Sequence, residues 1–249
     1  MLKQILNGRV LTPQGWLEGG SVIIDGNKIL AVSNSDLHIV DAEIIDAKGC
    51  YVVPGGVDLH VHGGGGRDFM EGTEEAFRVA IKAHMKHGTT SIFPTLSSST
   101  VPMIEAACET CEKLMAEENS PVLGLHLEGP YFNPKQAGAQ IPEWIKPPVA
   151  EEYEPLLDKY PCIKRWDEAP ELPGSIEFIQ SCRKHGVVAS IGHTRATYAD
   201  VVAGHKAGMM HATHFYNAMP VVYKEHEFKV PGTVETVSYT HLRAHETVL

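Results

Sequence analysis

The sequence predicts an α/β fold: a (β/α)8 TIM-type barrel, incomplete at about six strands, preceded by a small all-β unit. Two rhythms and one coincidence predict it. Up to about residue 53, short apolar runs are separated by turn dipeptides, as in an all-β unit. From Val57 onward, apolar runs alternate with stretches at helical spacing, about every 30 to 40 residues. That alternation implies a parallel sheet with crossover helices. Metal-ligand residue types also recur at the ends of four of those runs, the end where such barrels carry their active sites.

The elements follow in order. Ile5-Leu6-Asn7-Gly8 and the run 22–29 read as strands, with turns at Asn7-Gly8 and Asp25-Gly26-Asn27. Pro54-Gly55-Gly56 punctuates the change of rhythm. Residues 57–61 form strand one. The stretch 74–87 carries Phe77, Ile81, Ala83 and Met85 near helical spacing. Residues 89–96 are strand two, 101–118 a helix with an acidic outer face, and 121–127 strand three. A proline-rich loop (129–150) and a short acidic helix lead to strand four at 162–166. A helix at 173–185, strand five at 187–191, a helix at 198–207 and strand six at 209–214 complete the run. The expected parts are therefore 1–53, 54–235 and a tail, 236–249.

Composition narrows the function. The chain has 249 residues, 43% hydrophobic and 21% charged, an ordinary globular balance. Its formal charge of −10 argues against nonspecific nucleic-acid binding, which needs a basic surface. No apolar run approaches the roughly 18 residues of a membrane span, and residues 1–10 lack a signal-peptide pattern. Five scattered cysteines suit a reducing compartment. The expectation is a cytoplasmic protein without membrane or nucleic-acid partners. Cys108 and Cys111 lie within an apolar helical stretch and read as packing, since structural zinc needs four ligands.

The chemistry gathers at strand ends. Strand one ends in His60-Val61-His62, strand three in His126-Leu127-Glu128, strand five in Gly192-His193-Thr194, strand six in His211-Ala212-Thr213-His214. Residues two apart in a strand share a face, so His60 and His62 both point inward. Neutral imidazole and carboxylate suit zinc, iron, manganese or a similar divalent ion. One histidine at a strand end is ordinary. A packed core would not put this many titratable groups at one barrel end. His126 and His211 have an open role, with support of the ligands as one reading. His38, His84, His87, His185 and His205 read as surface or structural. The run Gly63–Gly66 reads either as an anion cradle or as a mobile loop. Asn217-Ala218 reads either as an anion-binding amide with free backbone N–H groups or as a helix cap.

These motifs resemble a known family. Pro54-Gly55-Gly56-Val57-Asp58-Leu59-His60-Val61-His62-Gly63 is similar to the first-strand pattern of the amidohydrolase superfamily. Gly124-Leu125-His126-Leu127-Glu128-Gly129-Pro130, Gly192-His193-Thr194 and Thr213-His214-Phe215-Tyr216-Asn217-Ala218-Met219 together resemble the N-acetylglucosamine-6-phosphate deacetylases within it. The likeness runs from about residue 2 to about residue 235. It implies a β-sandwich joined to the barrel and metal-dependent hydrolysis of an acetamide on an amino-sugar phosphate. It implies that Glu128, His193 and His214 hold the main metal and that His60 and His62 hold a second. One or two divalent ions are thus the implied cofactor. Asn217 and Ala218 would contact the substrate phosphate, and Ala139 the sugar. The resemblance also implies a homodimer. The chain departs from the family pattern at Gln140, where many members carry His. It departs again near His226, where many carry an Arg that reaches a neighbouring subunit.

The family's general base is an Asp on strand eight, and neither strand seven nor strand eight is recognisable here. The tail after Glu235 does not match strand seven, so no catalytic residue is assigned and a C-terminally truncated piece is expected. His241 and His245, four apart, could mimic a metal pair and are read as coincidental. As written, the chain is expected to be unstable or to aggregate, and to lack deacetylase activity. Two other functions fit the residues. One is a sugar-phosphate-binding pseudoenzyme. The other is a related hydrolase, acting on the N-acetylgalactosamine epimer or on a cyclic amide. The carboxylated Lys common in cyclic-amide hydrolases is replaced by Glu128, which disfavours that last option.

Overall fold

The computed structural model describes residues 1–34, 39–240 and 243–244. His38 and the pair His241 and His245 lie outside the described residues. The chain divides into two compact units, Met1–Gly56 and Val57–Leu249.

The first unit is one five-stranded sheet. It comprises β1 (Leu2–Thr12), β2 (Gly15–Asp25), β3 (Lys28–Ser33), β4 (Glu43–Asp46) and β5 (Tyr51–Val52). The order is β3-β2-β1-β4, with β5 also on β1. Gly26 and Asn27 turn the chain between β2 and β3 as expected. The expected turn at Asn7-Gly8 is absent. β1 runs straight through it, and the pair makes a bulge that shifts register between Ile5 and Gly8. Asn7 sits at φ 57°, a left-handed position that Asn tolerates better than most residues. Gly8 has no room for a side chain, because a Cβ there would stand 2.5 Å from Val52 Cγ2.

The second unit is a curled, parallel half-barrel. Its strands are β6 (Gly56–Val61), β9 (Thr89–Leu96), β10 (Leu125–Glu128), β11 (Ile163–Glu168), β12 (Val188–Ile191), β13 (His211–Ala212) and β16 (Arg243–Ala244). They stand in sequence order from β6 to β16. All six expected strands are present. Strand three is shorter than expected: it starts at Leu125, after Gly124 at φ 154°, and Val122 makes only an isolated bridge to Ile92. Strand six shrinks to His211–Ala212, since His214 already lies at φ 33°. Strand four runs two residues longer, through Asp167 and Glu168.

Between the strands lie α1 (Glu74–Met85), α2 (Val101–Met115), α3 (Ala150–Lys159), α4 (Ser175–Lys184) and α5 (Tyr198–Ala207), followed by α6 (Thr233–Thr240). Caps explain several starts. Thr73 accepts from Ala76 N, and Thr197 with Asp200 forms a reciprocal capping box. Alternation along the strands separates two environments. Leu127, Trp166, Ala189 and Ile191 share one face and join the apolar cluster with the helices. Trp166 stacks on Tyr131 at 5.6 Å and meets Phe178 of α4 edge-on at 5.2 Å. His126, Arg165, Asp167 and Ser190 share the other face. Cys108, Cys111, Cys162 and Cys182 are buried free thiols within the core.

Two short hairpins complete the unit. Gly63–Gly66 forms one: β7 (Gly63–Gly64) pairs with β8 (Arg67–Asp68) through a turn at Gly65 and Gly66. A Cβ at Gly63 would stand 2.2 Å from the Arg67 carbonyl oxygen, so this close pairing requires glycine. The other pairs β14 (Tyr223–Glu225) with β15 (Phe228–Val230), and carries His226 at its exposed tip.

Candidate metal centre

Four strand ends build one pocket. β6 supplies His60 and, just past its end, His62. β10 ends in Glu128. His193 follows β12 by two residues, and His214 follows β13 by two. His193 and His214 adopt φ of 44° and 33°, and nearby Tyr216 and Ala218 adopt 79° and 51°. Such non-glycine conformations cost on the order of 1–3 kcal/mol each and gather at functional sites.

Glu128 is the hub. Its Oε1 lies 3.1 Å from His193 Nε2 and 3.0 Å from His214 Nε2. Its Oε2 lies 3.1 Å from His62 Nε2 and 3.7 Å from His60 Nε2. The two nitrogens within each histidine pair are 3.0 Å apart. Each carboxylate oxygen therefore faces its own pair of imidazoles. Burial pushes the Glu128 carboxyl up, but with protonated imidazoles the hydrogen bonds from His193, His214, His60 and His62 outweigh this and hold it well below the usual carboxylate range.

The ring tautomers follow from the outer contacts. His193 Nδ1 stands 2.8 Å from the Gln136 carbonyl, and His214 Nδ1 stands 3.0 Å from the Asn217 carbonyl. A carbonyl oxygen only accepts, so both Nδ1 atoms carry the ring proton. In the neutral rings the Nε2 lone pairs then converge on each other and on a carboxylate. That arrangement is repulsive without positive charge at its centre. Two groups of donors lie close enough to share an ion: His60, His62 and Glu128, and Glu128, His193 and His214. In a tetrahedral zinc site, ligand nitrogens at about 2.05 Å stand roughly 3.3 Å apart, close to the separations here. The donor set fits a divalent cation at either place.

The pocket has a volume of about 370 Å³ and is lined by all five ligand candidates together with Ala139, Asn217 and Ala218. The eight residues to which the resemblance assigns a metal or substrate contact therefore meet in one cavity, while His126, His211 and His226 lie outside its lining. No helix begins at Asn217, which lies in a turn. Its backbone N–H is not free: it donates to the His214 carbonyl at 2.8 Å. His84, His185 and His205 make local bonds instead, to the carbonyls of Gly63, Ser181 and Met209.

Sequence reasoning left the role of His126 open, with support of the ligands as one reading, and missed Asp167, Arg165 and Thr95 around it. His126 Nε2 stands 2.9 Å from Asp167 Oδ1, and Arg165 Nε stands 3.4 Å from the same oxygen. Arg165 Nη2 donates to Thr213 Oγ1 at 2.5 Å. Thr95 Oγ1 accepts the Val61 N–H at 3.0 Å and meets His126 Nδ1 at 3.1 Å. The His126 ring packs edge-on against His60, with centroids 4.9 Å apart. Burial pushes His126 down to about 4. The visible clue was Arg165 and Asp167, two apart in strand four and separated by a core tryptophan.

Known proteins share this sequence and fold. Residues 51–247 match the profile of the Amidohydrolase family. A relative named N-acetylglucosamine-6-phosphate deacetylase, from Bacillus subtilis (strain 168), is 33% identical over 235 residues. Its alignment covers 91% of this chain and 58% of the relative. The crystal structure of N-acetylglucosamine-6-phosphate deacetylase from Pasteurella multocida superposes with a TM-score of 0.90 at 26% identity, over 98% of this chain and 64% of that one. The corresponding Mycobacterium smegmatis structure gives 0.86 at 27%, over 97% and 62%. The chain thus spans about three-fifths of the length of these proteins.

Proposed function

The chain belongs to the amidohydrolase family, and from that premise we propose that its pocket serves to hydrolyse the acetamide of N-acetylglucosamine 6-phosphate to glucosamine 6-phosphate and acetate. The observation that carries this reading is Glu128, whose two oxygens address two separate histidine pairs.

His193, His214 and Glu128 would hold one divalent ion, and His60, His62 and Glu128 a second. Bound there, such an ion supplies Lewis acidity toward the acetamide carbonyl and lowers the pKa of water toward neutrality. The chain's own residues orient the substrate. The Asn217 amide and the Ala218 backbone receive the phosphate, while Ala139 packs on the sugar. Cleavage also needs a general base to move the water proton to the leaving amine. Glu128 is the only carboxylate lining the pocket among the described residues, and it is committed as a ligand. The base therefore comes from outside this lining, on the eighth strand the family resemblance implies. Cytoplasmic location and pairing of two copies belong to the same proposal.

Acetate release is the direct assay, run on the gene's complete product loaded with zinc or iron. The expected result is turnover of N-acetylglucosamine 6-phosphate above that of its galactosamine epimer. Metal-loaded protein that releases no acetate would overturn the hydrolase reading in favour of a sugar-phosphate-binding protein.

A further inference from the structure

Gln140 is a loop residue twelve positions beyond Glu128, and it is buried. Its Nε2 donates to Glu128 Oε2 at 3.0 Å. Its Oε1 accepts the backbone N–H of Ser98 at 2.6 Å. Ser98 N–H can only donate, so the amide cannot flip: its oxygen must face Ser98 and its NH2 must face the carboxylate. The backbone of Gln140 is tied as well, by its N–H to the Ala137 carbonyl at 3.0 Å. The result is a fixed donor aimed at one oxygen of Glu128.

That oxygen serves only the His60–His62 side. The terminal torsion of a glutamate is broad, so an untethered carboxylate would swing. Oε1 is held between His193 and His214, whose rings are anchored by carbonyls. The other side is looser, because the His62 side chain is 39% exposed. A carboxylate oxygen has two lone pairs and can accept from an amide while ligating a cation.

We propose that Gln140 is the positioning residue that makes Glu128 a bridge, holding Oε2 toward His60 and His62 so that a second divalent ion can bind. This rests on the metal reading above. It assigns Gln140 to the second ion alone.

Stepwise zinc binding to the chain, followed by competition with a chromophoric chelator, tests it. The variants are Gln140→Met, which keeps the volume without donor or acceptor, and Gln140→Ala. Thermal unfolding reports whether each is folded, and the cobalt-loaded visible spectrum reports each site. Outer hydrogen-bond partners of ligands are typically worth 10–100-fold in metal affinity. The expected result is that the second ion weakens about 10–100-fold in both variants while the first stays within about twofold. Unchanged binding of both ions, or equal weakening of both, would overturn the proposal, as would wild-type protein that takes up a single ion. Wild-type protein that takes up none would instead overturn the metal reading itself.

Discussion

Glu128 concentrates more consequence than any other residue. Glu128→Gln keeps its shape but removes the charge shared by both histidine pairs. It should reduce bound metal from two equivalents to one or none, measured by elemental analysis after dialysis. Glu168 makes an opposite case. It is fully buried, and the nearby Ser175 hydroxyl donates to the Ala169 carbonyl at 2.9 Å. Burial pushes its pKa well above the ordinary range, against an opposing contribution from Ser175 and with Glu171 and Asp167 adding to the shift. The folded state therefore binds a proton that the unfolded state releases above about pH 4.5. Stability from this group is intact below that pH and falls as pH rises toward the raised value. Glu168→Gln should flatten the fall, seen as a smaller loss of melting temperature between pH 5 and 8. An unchanged slope would show that Glu168 is not the source.

At the scale of elements, the half-barrel depends on an aromatic seam between β11 and α4. Phe178 touches Trp166, Tyr131 and Tyr153 within 5.2 Å. Phe178→Ala should cost about 3–5 kcal/mol, measured by urea unfolding, since a buried ring leaves a cavity the neighbours cannot close. This scale also shows what the sequence could disclose. Strand polarity showed where ligand-type residues gather, and alternation put His60 and His62 on one face. Glu128, His193 and His214 were singled out by the family resemblance, since His193 and His214 stand past the strand ends, where period two no longer applies. The Arg165–Asp167 support stayed hidden because the strand was read as ending at Trp166, just before Asp167. Gln140 gave no structural signal: a loop has no period, so only tertiary contact reveals which of its side chains turns inward. The Asn7-Gly8 turn failed for a related reason, since tertiary pairing with β2 and β5 overrode a local preference.

For the whole molecule, the sheet is open. Among the described residues β6 and β16 each have a single neighbour. Unpaired strand edges template association with other chains. Dilution series by light scattering should show concentration-dependent association of this chain, while a strictly monomeric protein at high concentration would show the edges to be protected. The charge of −10 works against association through mutual repulsion. Added salt should therefore favour it.

The position of β6 has a further consequence. His60 and His62 ride on, and just beyond, an edge strand of the half-barrel that is held by a single neighbour. An ion gripped by them and by Glu128 on β10 spans two strands across the intervening β9, like a rivet through a loose plank. Fraying and metal loss then become one event, because whatever binds only the closed form holds it closed. Backbone amides of β6 should exchange with deuterium more slowly in the loaded protein, while those of β11 should hardly notice.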